Sequence, residues 1–320
     1  MRQSKMETGF FFGIDTSNYT TSAAAVTTAG EVFCAKRPLA VPAGDRGLRQ
    51  SDALFCHTRD LAGVVEACLA DLRAARGDLP LLGVAVSDQP RRVEGSYMPC
   101  FLAGVNAAKC AAKLANAPFF TFSHQEGHIE AARMGAKKVG RALTATEFYA
   151  FHLSGGTTEL LLVKEEGGRY ECSLVAATLD LTCGQLIDRC GVALGLPFPA
   201  GAHLEELVPE KRIIKALRIP KKEDGINLSG MENRFQKRKA EGTEQEELAG
   251  FVFDAVISAV ESLLTFADPE KPVLFSGGVS SSRILRAHFS ADRFYFAPPA
   301  YCADNAIGIA GLCGKGVING

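Results

Sequence analysis

No apolar run in this sequence approaches the roughly 18 residues that a membrane-spanning helix needs, so the chain is not expected to cross a bilayer. None of its 10 cysteines forms a C-x-x-C pair. Several of them, Cys68, Cys110 and Cys313 among them, sit inside apolar helical patterns, where cysteine behaves as a small hydrophobe. The opening Met1–Glu7 is short and polar, with no secretory leader, and the thiols are expected to stay reduced in a cytoplasmic protein. Net charge is also nearly absent, at -1 with a pI of about 6.6. That excludes a surface that is basic throughout, and any contact with nucleic acid would have to be local.

The chain does carry 47% hydrophobic residues, 22% charged residues and 32 glycines over 320 positions, enough for two lobes of roughly 150 residues each. FFFGIDTSNYTTSAAAV followed by TTAGEVF reads as strand, polar turn, strand, Gly turn, strand, with Asp15, Thr16 and Ser17 in the first turn. A helix is expected over 51–76, then a strand (LLGVAVS), a loop (DQPRRVEG), a helix from Phe101, a strand (PFFTF) and the segment SHQEGHIEAA. Near residue 147 the pattern restarts, as FYAFHLSGGTTELLLV and KEEGGRYECSLVA. A restart about 140 residues on implies a duplicated architecture. The second lobe continues with the helix TCGQLIDRCGVALGL, the turn PFPAGAH, a charged stretch and a long helix at about 244–266. VLFSGG then runs as a strand into a helix, so Gly277 and Gly278 face an anion with free backbone N–H groups. The expected fold is α/β and two-lobed, of the actin/Hsp70/sugar-kinase (ASKHA) type, with duplicated βββαβα lobes. Residues 1–142 plus 303–320 would form one lobe and 143–302 the other. In that architecture the polar turns hold the phosphates of a nucleotide.

His124 and His128 stand at i and i+4, on one helix face, at a separation that suits two ligands of one metal ion. Ser123 and Glu126 fit a capping box, which starts the helix at the histidines. A zinc-protease reading fails, because Glu126 lies about 200° around the helix from His124 rather than beside it. A third ligand is needed, and YCADNA offers Asp304. Two imidazoles and a carboxylate suit iron or zinc. Residues 211–239 hold ten Lys/Arg against Glu223, Asp224 and Glu232, a local excess of seven that could meet RNA phosphates.

The order of these pieces resembles the universal tRNA threonylcarbamoyladenosine synthase family, TsaD. GIDTSNYTTSAAAV stands for its GIETS-type opening, HTRDL with His57 for an H-x-x-x-L segment, and HQEGHIEA for its H-x-E-G-H metal motif. LSGGTTELLLV, GQLIDRCGVALGLPFPAG, LSG at 228–230, SGGVSSSRILR and YCADNAIGIAG complete the series. The resemblance implies one divalent metal, iron or zinc, on His124, His128 and Asp304. It implies ATP or threonylcarbamoyl-adenylate against His152, Leu153, Ser154, Gly155, Gly156, Thr157, Asp188, Gly201 and Ser282, beside the turn residues Asp15, Thr16 and Ser17. The implied reaction moves a threonylcarbamoyl group onto the adenosine next to the tRNA anticodon. Protein partners of that pathway are implied too, with tRNA meeting the 211–239 region.

The sequence departs from the family pattern at Asn18-Tyr19, at the loop DQPRRVEG, and at Thr157, Gln185, Arg189, Glu232 and Ser282. These departures raise a second expectation: a divergent metal- and nucleotide-binding paralogue with a regulatory or scaffold role, or with another carbamoyl or phosphoryl substrate.

Overall fold

The computed structural model describes residues 8–17, 19–40, 48–302 and 306–319, with residue 319 described by its backbone alone. The chain divides into two compact units. One comprises Met1–Gly135, Glu165–Glu171 and Asp304–Gly320, the other Ala136–Lys164 and Cys172–Ala303. Among the described residues no helix is long and apolar enough to cross a membrane.

The first unit runs β1 (Phe10–Ser17), β2 (Thr20–Thr27), β3 (Val32–Pro38), α1 (Gln50–Arg76), β4 (Leu81–Gln89), α2 (Phe101–Leu114), β5 (Phe119–Ser123) and α3 (His124–Lys138). Its sheet has the order β3-β2-β1-β4-β5, with β1, β4 and β5 mutually parallel. FFFGIDTS is buried along its whole length because β1 is the central strand and is covered on both faces. Its side chains alternate between faces. Phe12 and Ile14 point into a core with Leu61, Val64, Cys68 and Leu72 of α1 and Ala108 and Ala112 of α2.

Gly13 lies between them and meets the last helix, α10 (Ile307–Asn319). A β-carbon there would come within 2.4 Å of the Ala310 nitrogen. The same helix crosses α3 closer still: a β-carbon on Gly308 would sit 1.8 Å from the Gly127 carbonyl oxygen. Only glycine at 308 lets these two backbones meet. Farther along the same pair, Lys315 of α10 donates to Glu130 of α3 at 2.6 Å, to Glu165 at 2.8 Å and to the Tyr170 hydroxyl at 2.8 Å. Arg133 adds bonds to Glu165 and Tyr170. Burial is the first cause that pushes the Tyr170 phenol well above its usual value, so the ring stays protonated and donates to Glu130.

The second unit contains β6 (Glu147–Leu153), β7 (Thr158–Glu166), β8 (Arg169–Thr178), α4 (Cys183–Ala193), α5 (Gly201–Glu206), β9 (Gly225–Ile226), α6 (Ser229–Ala240), α7 (Gln245–Leu264), β10 (Val273–Ser276), α8 (Arg283–His288), β11 (Phe294–Phe296) and α9 (Pro299–Cys302). Sheet order is β11-β10-β6-β7-β8-β9. Without β9 this repeats the first sheet: an antiparallel β6–β7 pair answers β1–β2, and β10 and β11 run parallel to β6 as β4 and β5 do to β1. The restart in the sequence is therefore a structural duplication. Helix α7 is buried at every residue from Leu248 to Val260 and shares its core with Phe151, Phe235 and Phe275. Each such aromatic contributes about 1.5–3 kcal/mol. The unit boundary falls at 135/136, seven residues before the one expected from the sequence. Helix α6 lies inside a stretch that reads only as charged, because its apolar anchors are few: Met231 and Phe235.

The α3–α10 crossing yields a direct prediction. Gly308→Ala forces overpacking against Gly127 and costs about 1–3 kcal/mol in urea denaturation. Gly230→Ala, in α6 with nothing within 4 Å of its β-carbon position, stabilises by about 0.5–1 kcal/mol.

Candidate functional site

Strands β1, β4 and β5 end side by side, and α3 starts directly after β5. The parallel register brings Asp15, Ser87 and His124 to one edge of the sheet, at the carboxyl ends where α/β proteins place their sites. The capping box forms as expected. The Glu126 amide donates to Ser123 Oγ at 3.2 Å, and Glu126 Oε2 accepts from the Ser123 amide at 2.6 Å. Arg92, in the loop after β4, adds a 3.2 Å bond to the same Glu126 oxygen. The motif's glutamate thus folds back to hold the helix start.

Freed of that glutamate, His124 and His128 converge. Their Nε2 atoms are 2.9 Å apart, and His128 is 6% exposed. Two nitrogens bound to one ion at about 2.0–2.1 Å are separated by roughly 2.9 Å at a right angle and roughly 3.4 Å at a tetrahedral one. The spacing therefore fits a shared cation as well as an N–H···N hydrogen bond. On the other side of the ring, His124 Nδ1 lies 2.8 Å from Asp15 Oδ2. Ser87 Oγ donates to Asp15 Oδ1 at 2.5 Å. Asp304 lies outside the described residues, as does Asn18, and no group of three metal-ligating side chains occurs among those described.

Asp15, Thr16 and Ser17, expected in the first turn, lie instead at the end of β1 and pair with Ser22, Thr21 and Thr20 of β2. Thr16 is fully buried, donates to the Cys100 carbonyl at 3.2 Å and accepts from the Gly104 amide at 3.2 Å, which ties β1 to the start of α2. Ser17 Oγ is buried and has no hydrogen-bond partner among the described residues. His57 is buried against Thr21, whose Oγ1 is 2.8 Å from its Nδ1, and burial pushes its pKa down, so the ring is neutral.

In the second unit, the turn after β6 closes on itself. The Ser154 amide donates to the Thr157 carbonyl at 2.8 Å, and the Thr157 amide to Ser154 Oγ at 3.1 Å. His152 and Leu153 close the strand, and Gly155 and Gly156 are exposed with open space where a β-carbon would stand. Helix α4 begins on this turn. Thr182 caps it, donates to the Gly155 carbonyl at 3.0 Å, and sets Gly184 so near that a β-carbon would lie 2.4 Å from the Ser154 carbonyl oxygen. Gly277, in the left-handed region at φ 89°, brings the end of β10 against Leu153. Gly278 opens the short 3-10 turn that follows.

Asp188 accepts from the Ala200 amide at 2.8 Å and so holds the turn before Gly201. Burial is the first cause that raises its pKa. Ser282 caps α8 and donates to Glu205 Oε1, which also accepts from the Ile284 amide at 3.0 Å. Glu205 had no signal in the sequence beyond its place one turn after Gly201. Asp180 was equally silent: it accepts the Leu228 and Ser229 amides at 2.7 and 3.1 Å and so caps α6. Two departures from the family pattern are partners, since Arg189 and Glu232 form a 3.2 Å ion pair.

The basic stretch is less basic in space than in sequence. Arg212 is paired with Asp254, Lys237 with Glu241 and Arg238 with Glu247, all carboxylates from outside 211–239.

A family model described as TsaD, tRNA N6-adenosine threonylcarbamoyltransferase, matches residues 46–311, well over half of the chain. The chain belongs to the TsaD family. Relatives named tRNA N6-adenosine threonylcarbamoyltransferase include one from Methanopyrus kandleri, 25% identical over 93% of this chain and 85% of that protein. Another, from Bacillus subtilis, is 28% identical over 94% and 88%. Among solved structures, T. kodakarensis HypF superposes with a TM-score of 0.60 at 11% identity, over 98% of this chain and 48% of HypF. Component A of the (R)-2-hydroxyglutaryl-CoA dehydratase of Acidaminococcus fermentans gives 0.54 at 15%, over 97% and 99%. These likenesses show the fold, which is the ASKHA fold.

The Asp180 cap has a pH signature. Burial pushes this carboxyl up, but the Ser229 hydroxyl and the Leu228, Ser229 and Leu181 amides outweigh it and leave the pKa below its usual value. A lowered folded pKa contributes stability above the unfolded value of about 4 and loses it as pH falls. Asp180→Asn is expected to cost about 1 kcal/mol at pH 7. The gap to wild type should close between roughly pH 5 and pH 3 in denaturant titrations.

Proposed function

We propose that this protein is a metal-dependent transferase that moves the threonylcarbamoyl group of threonylcarbamoyl-adenylate onto N6 of the adenosine beside the tRNA anticodon. One observation carries the reading: in a chain of this family, the Nε2 atoms of His124 and His128 converge to 2.9 Å. Asp304 is the proposed third ligand. It stands four residues before Gly308, whose backbone rests on Gly127 next to His128. Bound there, iron or zinc supplies Lewis acidity to a carbonyl or phosphate oxygen.

The remaining work belongs to the chain. The backbone N–H groups of the exposed Gly155–Gly156 turn, whose Gly155 carbonyl is held by Thr182, are assigned to the negative charge of the adenylate phosphate. Gly277, Gly278, Asp188 and Gly201 shape the surrounding turns. In the transfer, N6 attacks the carbamoyl carbon and a C–N bond forms. The bond from that carbon to the phosphate oxygen breaks, AMP leaves with the electron pair, and the N6 proton passes to water.

Phosphate contacts with tRNA are assigned to Lys211, Lys215, Arg218 and Lys222, four of the seven basic residues that lie outside the three ion pairs named above. Protein partners of the pathway are proposed as well. An apolar groove of about 850 Å³ between α1 and α2, floored by Phe12 and Ile14, offers one of them room. The proposed compartment is the cytoplasm.

A second reading, a paralogue that binds metal and nucleotide without synthase activity, draws on the Ser282–Glu205 bond and the Arg189–Glu232 pair. Both use side chains at positions where the family pattern has other residues.

Purified protein given threonylcarbamoyl-adenylate, tRNA and the pathway's partner proteins is expected to form the modified nucleoside, measured by mass spectrometry. His124→Ala, His128→Ala and Asp304→Ala should each lose bound metal and lower product on the order of 100-fold. Metal retained with no product from the wild type favours the paralogue. Lys215→Glu and Lys222→Glu are expected to weaken tRNA binding, and each should reduce the salt slope by about 1, since one phosphate fewer is neutralised.

A further inference from the structure

The buried carboxylate of Asp15 stands at the Nδ1 side of His124, away from the Nε2 that meets His128. Asp15 is 1% exposed, and its two oxygens are divided between two partners: Oδ2 lies 2.8 Å from His124 Nδ1, and Oδ1 accepts from Ser87 Oγ at 2.5 Å. A carboxylate only accepts, so the proton of the neutral imidazole is placed on Nδ1 and the lone pair on Nε2. With the proton on Nδ1, the 2.9 Å approach of the two rings is met by His128 Nε2–H donating to the Nε2 lone pair of His124.

We infer that Asp15 is a positioning residue, which holds His124 in the Nδ1–H tautomer and aims its Nε2 lone pair at the cation, while Ser87 holds Asp15. The inference rests on the reading of His124 and His128 as metal ligands. It gives Asp15 a task different from contact with nucleotide. Phe101 packs against His124 in a T-shaped pair, with ring centroids 6.4 Å apart. The carboxylate has no route to the ion itself, because the ring of His124 stands between it and the Nε2 pair. Carboxylate partners of this kind orient a ligating histidine and raise its basicity, and their loss typically lowers metal affinity about 10–100-fold.

The test measures Zn²⁺ and Co²⁺ affinity of the full chain by competition with a chromogenic chelator, and the His124 tautomer by long-range ¹H–¹⁵N spectroscopy. In the wild type, His124 should show a protonated Nδ1 and a bare Nε2. Asp15→Asn is expected to weaken metal binding about 10–100-fold and to shift the tautomer population. Ser87→Ala, which removes one hydroxyl and leaves the carboxylate in place, should move both readouts in the same direction by less. His124→Ala separates the two ideas. If it abolishes tight binding while a folded Asp15→Asn stays within twofold of wild type, the positioning role is wrong and the metal pair stands. If His124→Ala and His128→Ala leave affinity unchanged, the metal reading fails and this inference falls with it. A wild-type His124 protonated on Nε2 overturns the inference outright.

Discussion

Everything at the first unit's candidate site hangs on the distance between two helix backbones. Gly308 of α10 lies so near the Gly127 carbonyl that a methyl group would interpenetrate it. That crossing fixes α3, and α3 fixes both histidines. The ion-pair cluster of Glu130, Arg133, Glu165, Tyr170 and Lys315 braces the same two helices farther along. Backbone packing sets the position, and the charged cluster resists sliding.

The glutamate between the histidines has a task set by the same geometry. It is buried, accepts from Ser123 and Arg92, and holds the first turn of α3. A free carboxylate beside two imidazoles would compete for a cation or a proton. Here it is committed to the helix start, and His128 and Asp15 meet the two nitrogens of the His124 ring.

The glycine-containing turns of the second unit depend on backbone more than on side chains. Gly155 and Gly156 present backbone to solvent, while Thr182, Gly184 and Gly277 clamp the turn from beneath. Backbone contacts and glycines set this turn, so side chains around it can differ with little change in its shape. Arg189 and Glu232 illustrate drift in partnership, each supplying the charge that the other requires. Ser282 illustrates drift into structure, since its hydroxyl now caps α8 and meets Glu205.

Local pattern was enough for much of this. Burial periodicity marked β1, α1 and α7, the repeated meander marked the duplication, and S-x-x-E marked where α3 begins, because each depends on residues a few positions apart. The i and i+4 spacing likewise placed two histidines on one face. Asp15 beside His124, Glu205 beneath Ser282, Asp180 at the head of α6 and Asp254 under the start of the basic stretch were not legible. Those partners are separated by 39 to 109 positions, and nothing local distinguishes a carboxylate that will meet a distant ring from one that will face water. Sequence alone determined the family and most of the elements, though not α6. Only tertiary packing decided which polar groups meet, because parallel strand register and the two-glycine crossing bring together residues that the chain keeps far apart.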